Sequence, residues 1–155
     1  MSVMILFDDP VKCKLISDGV MIRFGYNKEE SSSFKILDPK FVISSCAGFL
    51  ALAKTYYNNS YSDTYELNIV FAACCYFGQT SIVKWLYSIG SINLHSNDEY
   101  AFRLACKNSQ KNVCNWLFKF DKSINVHAKN EQSFIWFCKT GQIDMAKWLY
   151  NVGKP

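Results

Sequence analysis

Several things are scarce in this chain, and each scarcity removes a class of explanation. Its 155 residues include three prolines and seven glycines, with no long tract of Pro, Gly, Ser or Gln, so the bulk of the chain reads as folded rather than disordered. No glycine-rich phosphate loop appears, no paired carboxylates stand out, and no Ser/His/Asp set can be assembled from spacing, which leaves enzyme readings nothing to build on. The seven cysteines (13, 46, 74, 75, 106, 114, 138) are odd in number, form no CxxC pair and follow no secretory signal. They are expected to be reduced and intracellular. The longest mostly apolar run, Phe41 to Ala53, is interrupted by two serines and is well short of the ~20 residues that span a bilayer. The opening MSVMILFDDP has an apolar patch of only five residues with two aspartates behind it, the wrong pattern for a signal peptide.

Charge is also sparse, at 19% of residues, with a formal net charge of +4. Residues 1–65 carry seven Lys/Arg against seven Asp/Glu, residues 66–97 one against one, and residues 98–155 nine against five. The whole excess lies in the last third, yet it is thin beside the dense basic stripes of nucleic-acid binders.

Apolar residues are abundant. Half of the chain is hydrophobic and 16% is aromatic, enough for one domain with a continuous core. Three stretches share one pattern: CCYFGQTSIVKWLYSIG ending at Gly90, CKNSQKNVCNWLFKFDK ending at Lys122 and CKTGQIDMAKWLYNVGK ending at Lys154. Phe71, Phe102 and Phe134 correspond, as do Cys75, Cys106 and Cys138, and Trp85, Trp116 and Trp148, always 31 or 32 residues apart. Self-similarity at such a period marks stacked supersecondary units, each too small to bury its own apolar face.

Within one unit, Ala101, Phe102, Leu104, Ala105 and Cys106 give Glu99 to Asn108 a wide apolar face of helical period. After a break at Ser109-Gln110, Val113, Trp116 and Leu117 recur at i, i+3 and i+4 on a second helix. The unit is a helical hairpin. Gly78 and Gly141 stand at the break in the sister units, where a helix end favours a left-handed residue. Ser109 departs from that rule, so its turn is expected to be strained or differently closed. The links 91–97 and 123–130 read as extended connectors, with Asn97, Asp98 and Asn130 placed for a turn and the cap of the next helix.

These residues carry a family resemblance. Helix, tight Gly turn, helix and link at this length resemble ankyrin repeats. The link INVHAKN from Ile124 to Asn130 is similar to the family's ADVNAKD, and AFRLACKNSQ and SFIWFCKTGQ are similar to its TPLHLAAxxGH. No unit keeps TPLH, and Gln79, Gln110 and Gln142 replace the His after the Gly. The wording NExxFxxxCxxGQxxxAKWLYxxG resembles ankyrin proteins of large DNA viruses of amoebae, the mimivirus type. A worn fourth unit is read at Phe41 to Lys54, matching Phe134 to Lys147 at Phe41, Gly48, Ala53 and Lys54, with Thr55 in the tryptophan's place.

The expected fold is therefore all-α, an ankyrin-type solenoid of about four helix-turn-helix units (37–65, 66–97, 98–129 and 130–155) behind a leader of residues 1–36. In that leader, Met4 to Phe7 and Gly19 to Phe24 read as two strands or as a strand and a helical turn, and capping the stack is its expected task. Asn27 to Ser33 is the expected flexible segment.

Each candidate chemistry has a plainer reading. His95 and His127 occupy equivalent links, but neighbouring units lie ~10 Å apart whereas zinc holds its ligands within ~2 Å. Histidines bonding the link backbone are expected, with no Asp or Glu near enough to make either a base, and neither metal nor cofactor is expected. Cys75, Cys106 and Cys138 read as small packing residues, and no basic cluster stands by to activate Cys74 or Cys114. Trp85, Trp116 and Trp148 read as packing between units rather than as a stacking ladder for bases. Phe137, where neighbouring units have small residues, is expected to cap the open end or leave an apolar patch.

What remains is surface recognition. The resemblance implies non-catalytic binding of a protein partner on the concave side formed by link tips and inner-helix edges. The matching positions are His95, Asn97, Glu99, Tyr100, Arg103 and Lys107 in one unit and His127, Lys129, Gln132, Ile135 and Lys139 in the next, with Tyr100 and Arg103 first. The resemblance also implies a viral protein acting on its host, in the host-cell cytoplasm. The alternatives are a self-assembling structural protein that uses the aromatic end of the stack, and a nucleic-acid-associated protein using Arg103, Lys107, Lys111, Lys129, Lys139 and Lys147. No membrane contact is expected.

Overall fold

The computed structural model describes residues 4–6, 11–16, 19–24, 38–58, 65–89 and 92–154. Among the described residues, eight helices make up the repeat region: α1 (Pro39–Cys46), α2 (Leu50–Tyr56), α3 (Tyr65–Phe77), α4 (Thr80–Ile89), α5 (Ser96–Lys107), α6 (Lys111–Phe120), α7 (Ala128–Lys139) and α8 (Ile143–Val152). The inner helices α1, α3, α5 and α7 pack side by side in chain order, and each carries its own outer helix, α2, α4, α6 or α8. The worn unit thus folds as a hairpin like the others.

One turn chemistry closes every hairpin. At the end of the inner helix the residue at the Gly position donates its N–H three residues back, and the next residue donates five residues back. The pairs are Gly48 to Ser45 O and Phe49 to Ser44 O, Gly78 to Cys75 O and Gln79 to Cys74 O, Ser109 to Cys106 O and Gln110 to Ala105 O, and Gly141 to Cys138 O and Gln142 to Phe137 O. This double bond pattern satisfies the last helix carbonyls and requires a left-handed residue. Gly48, Gly78 and Gly141 supply it at φ 87, 74 and 69, and Ser109 supplies it at φ 60. The departure at Ser109 is therefore borne as strain, with the turn closed in the ordinary way.

The consistent glutamine has a use as well. Gln79 Nε2 donates to Cys46 O at 2.9 Å, and a Cβ added at Gly48 would collide with the Gln79 amide, as one at Gly78 would with Gln110. Gln79 and Gln110 thus lie over the preceding unit's turn, so the glycine there serves close approach as well as φ.

Phe41, Phe71, Phe102 and Phe137 are the largest fully buried side chains, joined by Leu67, Ile82, Leu86 and Leu117. Phe137 fills the end of the core, the first of the two expected readings, and leaves no apolar patch of its own at the surface. The tryptophans are half-buried and join units edge-on: Tyr57 meets Trp85 with centroids 5.5 Å apart, Tyr87 meets Trp116 at 5.8 Å and Phe118 meets Trp148 at 6.2 Å. Cys75 and Cys106 are buried as expected, whereas Cys138 is exposed, because among the described residues no unit packs over the far side of α7.

Ahead of the helices, β1 (Met4–Leu6), β2 (Val11–Ile16) and β3 (Gly19–Phe24) pair as an antiparallel meander in the order β1-β2-β3. Ile5 pairs with Cys13 and Cys13 with Ile22. Both runs singled out in the sequence are strands, and Val11–Ile16 between them is a third that was not anticipated. Asn27 to Ser33 lies outside the described residues.

Candidate partner-binding face

The links turn at Asn97, Asp98 and Asn130 as expected, but through left-handed backbone that the sequence does not announce. Instead of running extended, they fold back: Asn93 Oδ1 accepts from His95 N and Asn125 Oδ1 from His127 N, both at 3.0 Å. Asn97, Asp98 and Glu99 then take successive left-handed angles (φ 52, 55 and 62) before α5 becomes regular, and Lys129, Asn130 and Glu131 repeat this at the start of α7 (φ 54, 55 and 63). Left-handed backbone costs roughly 1–2 kcal/mol per non-glycine residue, so each turn needs ties, and charged side chains supply them.

His95 Nδ1 lies 2.8 Å from Glu99 Oε1 and its Nε2 lies 3.2 Å from Asp121 Oδ2. His127 repeats the arrangement with Glu131 Oε1 at 2.6 Å and the Gly153 carbonyl at 3.0 Å. Each imidazole ties the start of an inner helix to the end of its own outer helix. The bond to Glu99, then the charges of Glu99 and Asp121, hold His95 above the usual histidine range. The Gly153 carbonyl first, then Glu131, does the same for His127. The expectation that no carboxylate would reach these histidines is corrected by Glu99 and Glu131, four residues on.

Arg103 is the second tie. Its Nε donates to Asp98 O at 2.7 Å, Nη2 to Asn97 O at 3.0 Å and Nη1 to Gln132 Oε1 of the next unit. At 8% exposure the guanidinium is committed to the turn, and Tyr100 lies against it, 5.5 Å from ring centroid to Cζ. Glu99, at 5% exposure, accepts from Asn125 N as well as facing His95. Arg103 and Glu99 are therefore interior ties of the stack, which corrects their assignment to an exposed binding edge. The reason is physical: an inner-helix edge is surface only where the next unit leaves it bare.

The other candidates sit at the surface to different degrees. His95, Asn97, His127, Lys129, Ile135 and Lys139 are exposed; Tyr100, Lys107 and Gln132 are half-buried. Lys129 Nζ pairs with Asp98 Oδ2 at 2.7 Å, the bond that chiefly holds Asp98 below the usual carboxylate range. Lys107 Nζ lies 5.4 Å from the Trp136 ring centroid. The structure joins Tyr100 and Asn97 in one shallow groove between α3 and α5, lined also by Asn68, Ile69, Phe71, Ala72, Asn93, Ser96 and Ala101. Asn68 and Asn93 were missed, although Asn93 and Asn125 recur in the two links and mark the turn.

Chemistry beyond binding finds few reactive groups. Burial pushes the Cys74 and Cys75 thiols up, and the contact with Cys106 raises Cys114 before burial does, against the thiolate that nucleophilic or ligand chemistry needs. Among the described residues no group of three or more His, Cys, Asp or Glu is placed to hold a metal ion, and no helix is long and apolar enough to cross a membrane.

Stacked helical hairpins whose ties run from unit to unit define a repeat solenoid, a scaffold class whose working part is its surface. A family model for ankyrin repeats, in three copies, matches residues 49–154, and the chain belongs to that family. Ankyrin repeats are generally protein–protein interaction modules and typically non-catalytic. No curated protein and no solved structure matches the chain.

Proposed function

We propose that this chain is a non-catalytic module that holds a partner protein on its concave side, centred on the groove between α3 and α5. The observation that carries the reading is that groove's make-up: an apolar floor of Ile69, Phe71, Ala72 and Ala101 beneath a rim of Asn68, Asn93, Ser96, Asn97 and Tyr100. An apolar floor favours contact with an apolar partner surface, and a rim of amides and a phenol adds directional bonds. Tyr100 is the anchor, with Lys107, His127, Lys129, Gln132, Ile135 and Lys139 extending the surface along the next unit. The nine basic against five acidic residues of 98–155 suit an acidic partner surface through steering. The resemblance of its wording to ankyrin proteins of amoebal viruses is the ground for reading it as a viral protein acting on a host protein inside the cell. The basic side chains suit nucleic acid poorly, since Arg103 serves the turn, Lys129 serves Asp98 and Lys107 lies over Trp136.

Affinity capture from cell lysate tests this, using the full chain beside Tyr100→Ala and, as a control on the outer helix, Ile143→Ala. A protein retained by the chain and the control but lost with Tyr100→Ala supports the groove. Equal recovery by all three rejects it.

A further inference from the structure

The helices divide their charges unequally between the two sides of the stack. The inner helices α1, α3, α5 and α7 carry five basic residues against four acidic ones, whereas the outer helices α2, α4, α6 and α8 carry Lys54, Lys84, Lys111, Lys119 and Lys147 against Asp144 alone. Inner charges are answered within the chain, Arg103 by the turn carbonyls, Asp98 by Lys129 and Glu99 by His95. The five outer lysines are all exposed, and none forms an ion pair among the described residues.

Exposed lysines alone make no site, but their placement adds a second observation. Lys54, Lys84 and Lys147 each stand six residues after a turn glycine, Gly48, Gly78 or Gly141, so they repeat on one face of the outer helices. On α6 Asn115 takes that place, and Lys111 and Lys119 stand four residues to either side of it on the same face. Beside Lys119 an aromatic ledge bridges α4 and α6. Phe120 stacks on Trp116 with centroids 5.3 Å apart and meets Tyr87 at 4.5 Å, yet it stays 53% exposed. Among the described residues it is the one large apolar side chain exposed on either helix.

We propose that the outer side of α4, α6 and α8 is a second docking surface, and that its occupant is an extended acidic segment of a partner protein carrying one apolar anchor. Packed helices lie about 8–10 Å apart, and a polyproline II segment sets side chains i and i+3 on one side at about the same interval, three residues of ~3.1 Å rise. Carboxylates at every third residue therefore meet Lys84, Lys119 and Lys147 in turn, and an intervening apolar residue reaches Phe120. Lysines a helix apart are too sparse for a duplex with a phosphate charge per ~1.7 Å. One exposed ring is also far from the continuous apolar face that an interfacial helix buries in a membrane. The groove between α3 and α5 lies on inner helices, so a failure here leaves that reading untouched.

Fluorescence anisotropy with the full chain tests this, using a labelled synthetic peptide with glutamate at every third position and one phenylalanine between the first two. Saturable binding at physiological salt is expected. Lys119→Glu should weaken it at least about tenfold, the equivalent of ~1.4 kcal/mol, with Lys84→Glu and Phe120→Ala also weakening it. Lys40→Glu, the same change of net charge on inner helix α1, should stay within about twofold, because charges beyond a Debye length are screened. All four side chains are exposed, so helix content and melting temperature should hold in every variant. Absence of saturable binding overturns the proposal. Equal losses for Lys119→Glu and Lys40→Glu overturn it too, since attraction would then follow net charge and not this face. An oligothymidylate or a phosphatidylserine vesicle that displaces the peptide and binds more tightly would assign the face to another anion and overturn it equally.

Discussion

The third and fourth hairpins are near copies in sequence and different objects in space. Glu99 and Glu131 follow their histidines by four residues and adopt the same left-handed turn, yet the Glu99 side chain is 7% exposed and that of Glu131 49%. Cys106 is buried and Cys138 exposed; Arg103 is held by three partners and Ile135 faces outward. In a solenoid a residue's task is set by whether another unit stacks over it, and the repeat pattern alone does not reveal that.

The widest gap lies between Arg103 and Ile135, which share a register position. Arg103→Ala strips two turn carbonyls and Gln132 of their donor and is expected to cost about 2–4 kcal/mol, the scale of buried hydrogen bonds to a charged group. Ile135→Ala should stay within about 0.5 kcal/mol. Urea denaturation of the two variants reads the difference, and equal midpoints would erase the distinction.

The turns offer a smaller contrast. Ser109 and Gly141 occupy the same left-handed position, so Ser109→Gly is expected to stabilise by about 1 kcal/mol and Gly141→Ala to destabilise by about as much. Thermal melts of the pair check both signs.

The smallest effect is in pH. Both histidines are raised in the folded chain above the ordinary 6.5, because each imidazolium donates to an acceptor at either nitrogen. Their contribution is fully present below pH 6.5 and is lost as pH climbs through the raised native values. Melting temperature should therefore decline across that window, and His95→Ala/His127→Ala should flatten the decline. Both rings are largely exposed, so screening keeps the effect modest.

Much of this was legible in advance for particular reasons. The Phe, Cys and Trp columns and the Gly turns disclosed the hairpins, because apolar period and left-handed caps are local properties. The match of Phe41, Gly48 and Ala53 disclosed the worn first unit. The roles of Arg103 and Glu99 were hidden, because both read as polar residues on a helix edge until Gln132 and Asn125 of the next unit are placed against them. The left-handed course of the turns was hidden too: Asn97, Asp98 and Asn130 tolerate positive φ, but Glu99, Lys129 and Glu131 carry no preference for it. Of the candidate face, Tyr100 and Asn97 keep their place in a groove, and the rim residues Asn68 and Asn93 needed α3 beside α5 to come into view.

Equilibrium unfolding of Glu99→Ala beside Glu131→Ala tests the central claim most directly, since the two glutamates share sequence context and histidine partner and differ in being covered. A loss of about 2–3 kcal/mol for Glu99→Ala against less than about 1 for Glu131→Ala is the predicted result. Equal losses would contradict the claim that stacking, and not the repeat motif, sets what each residue does.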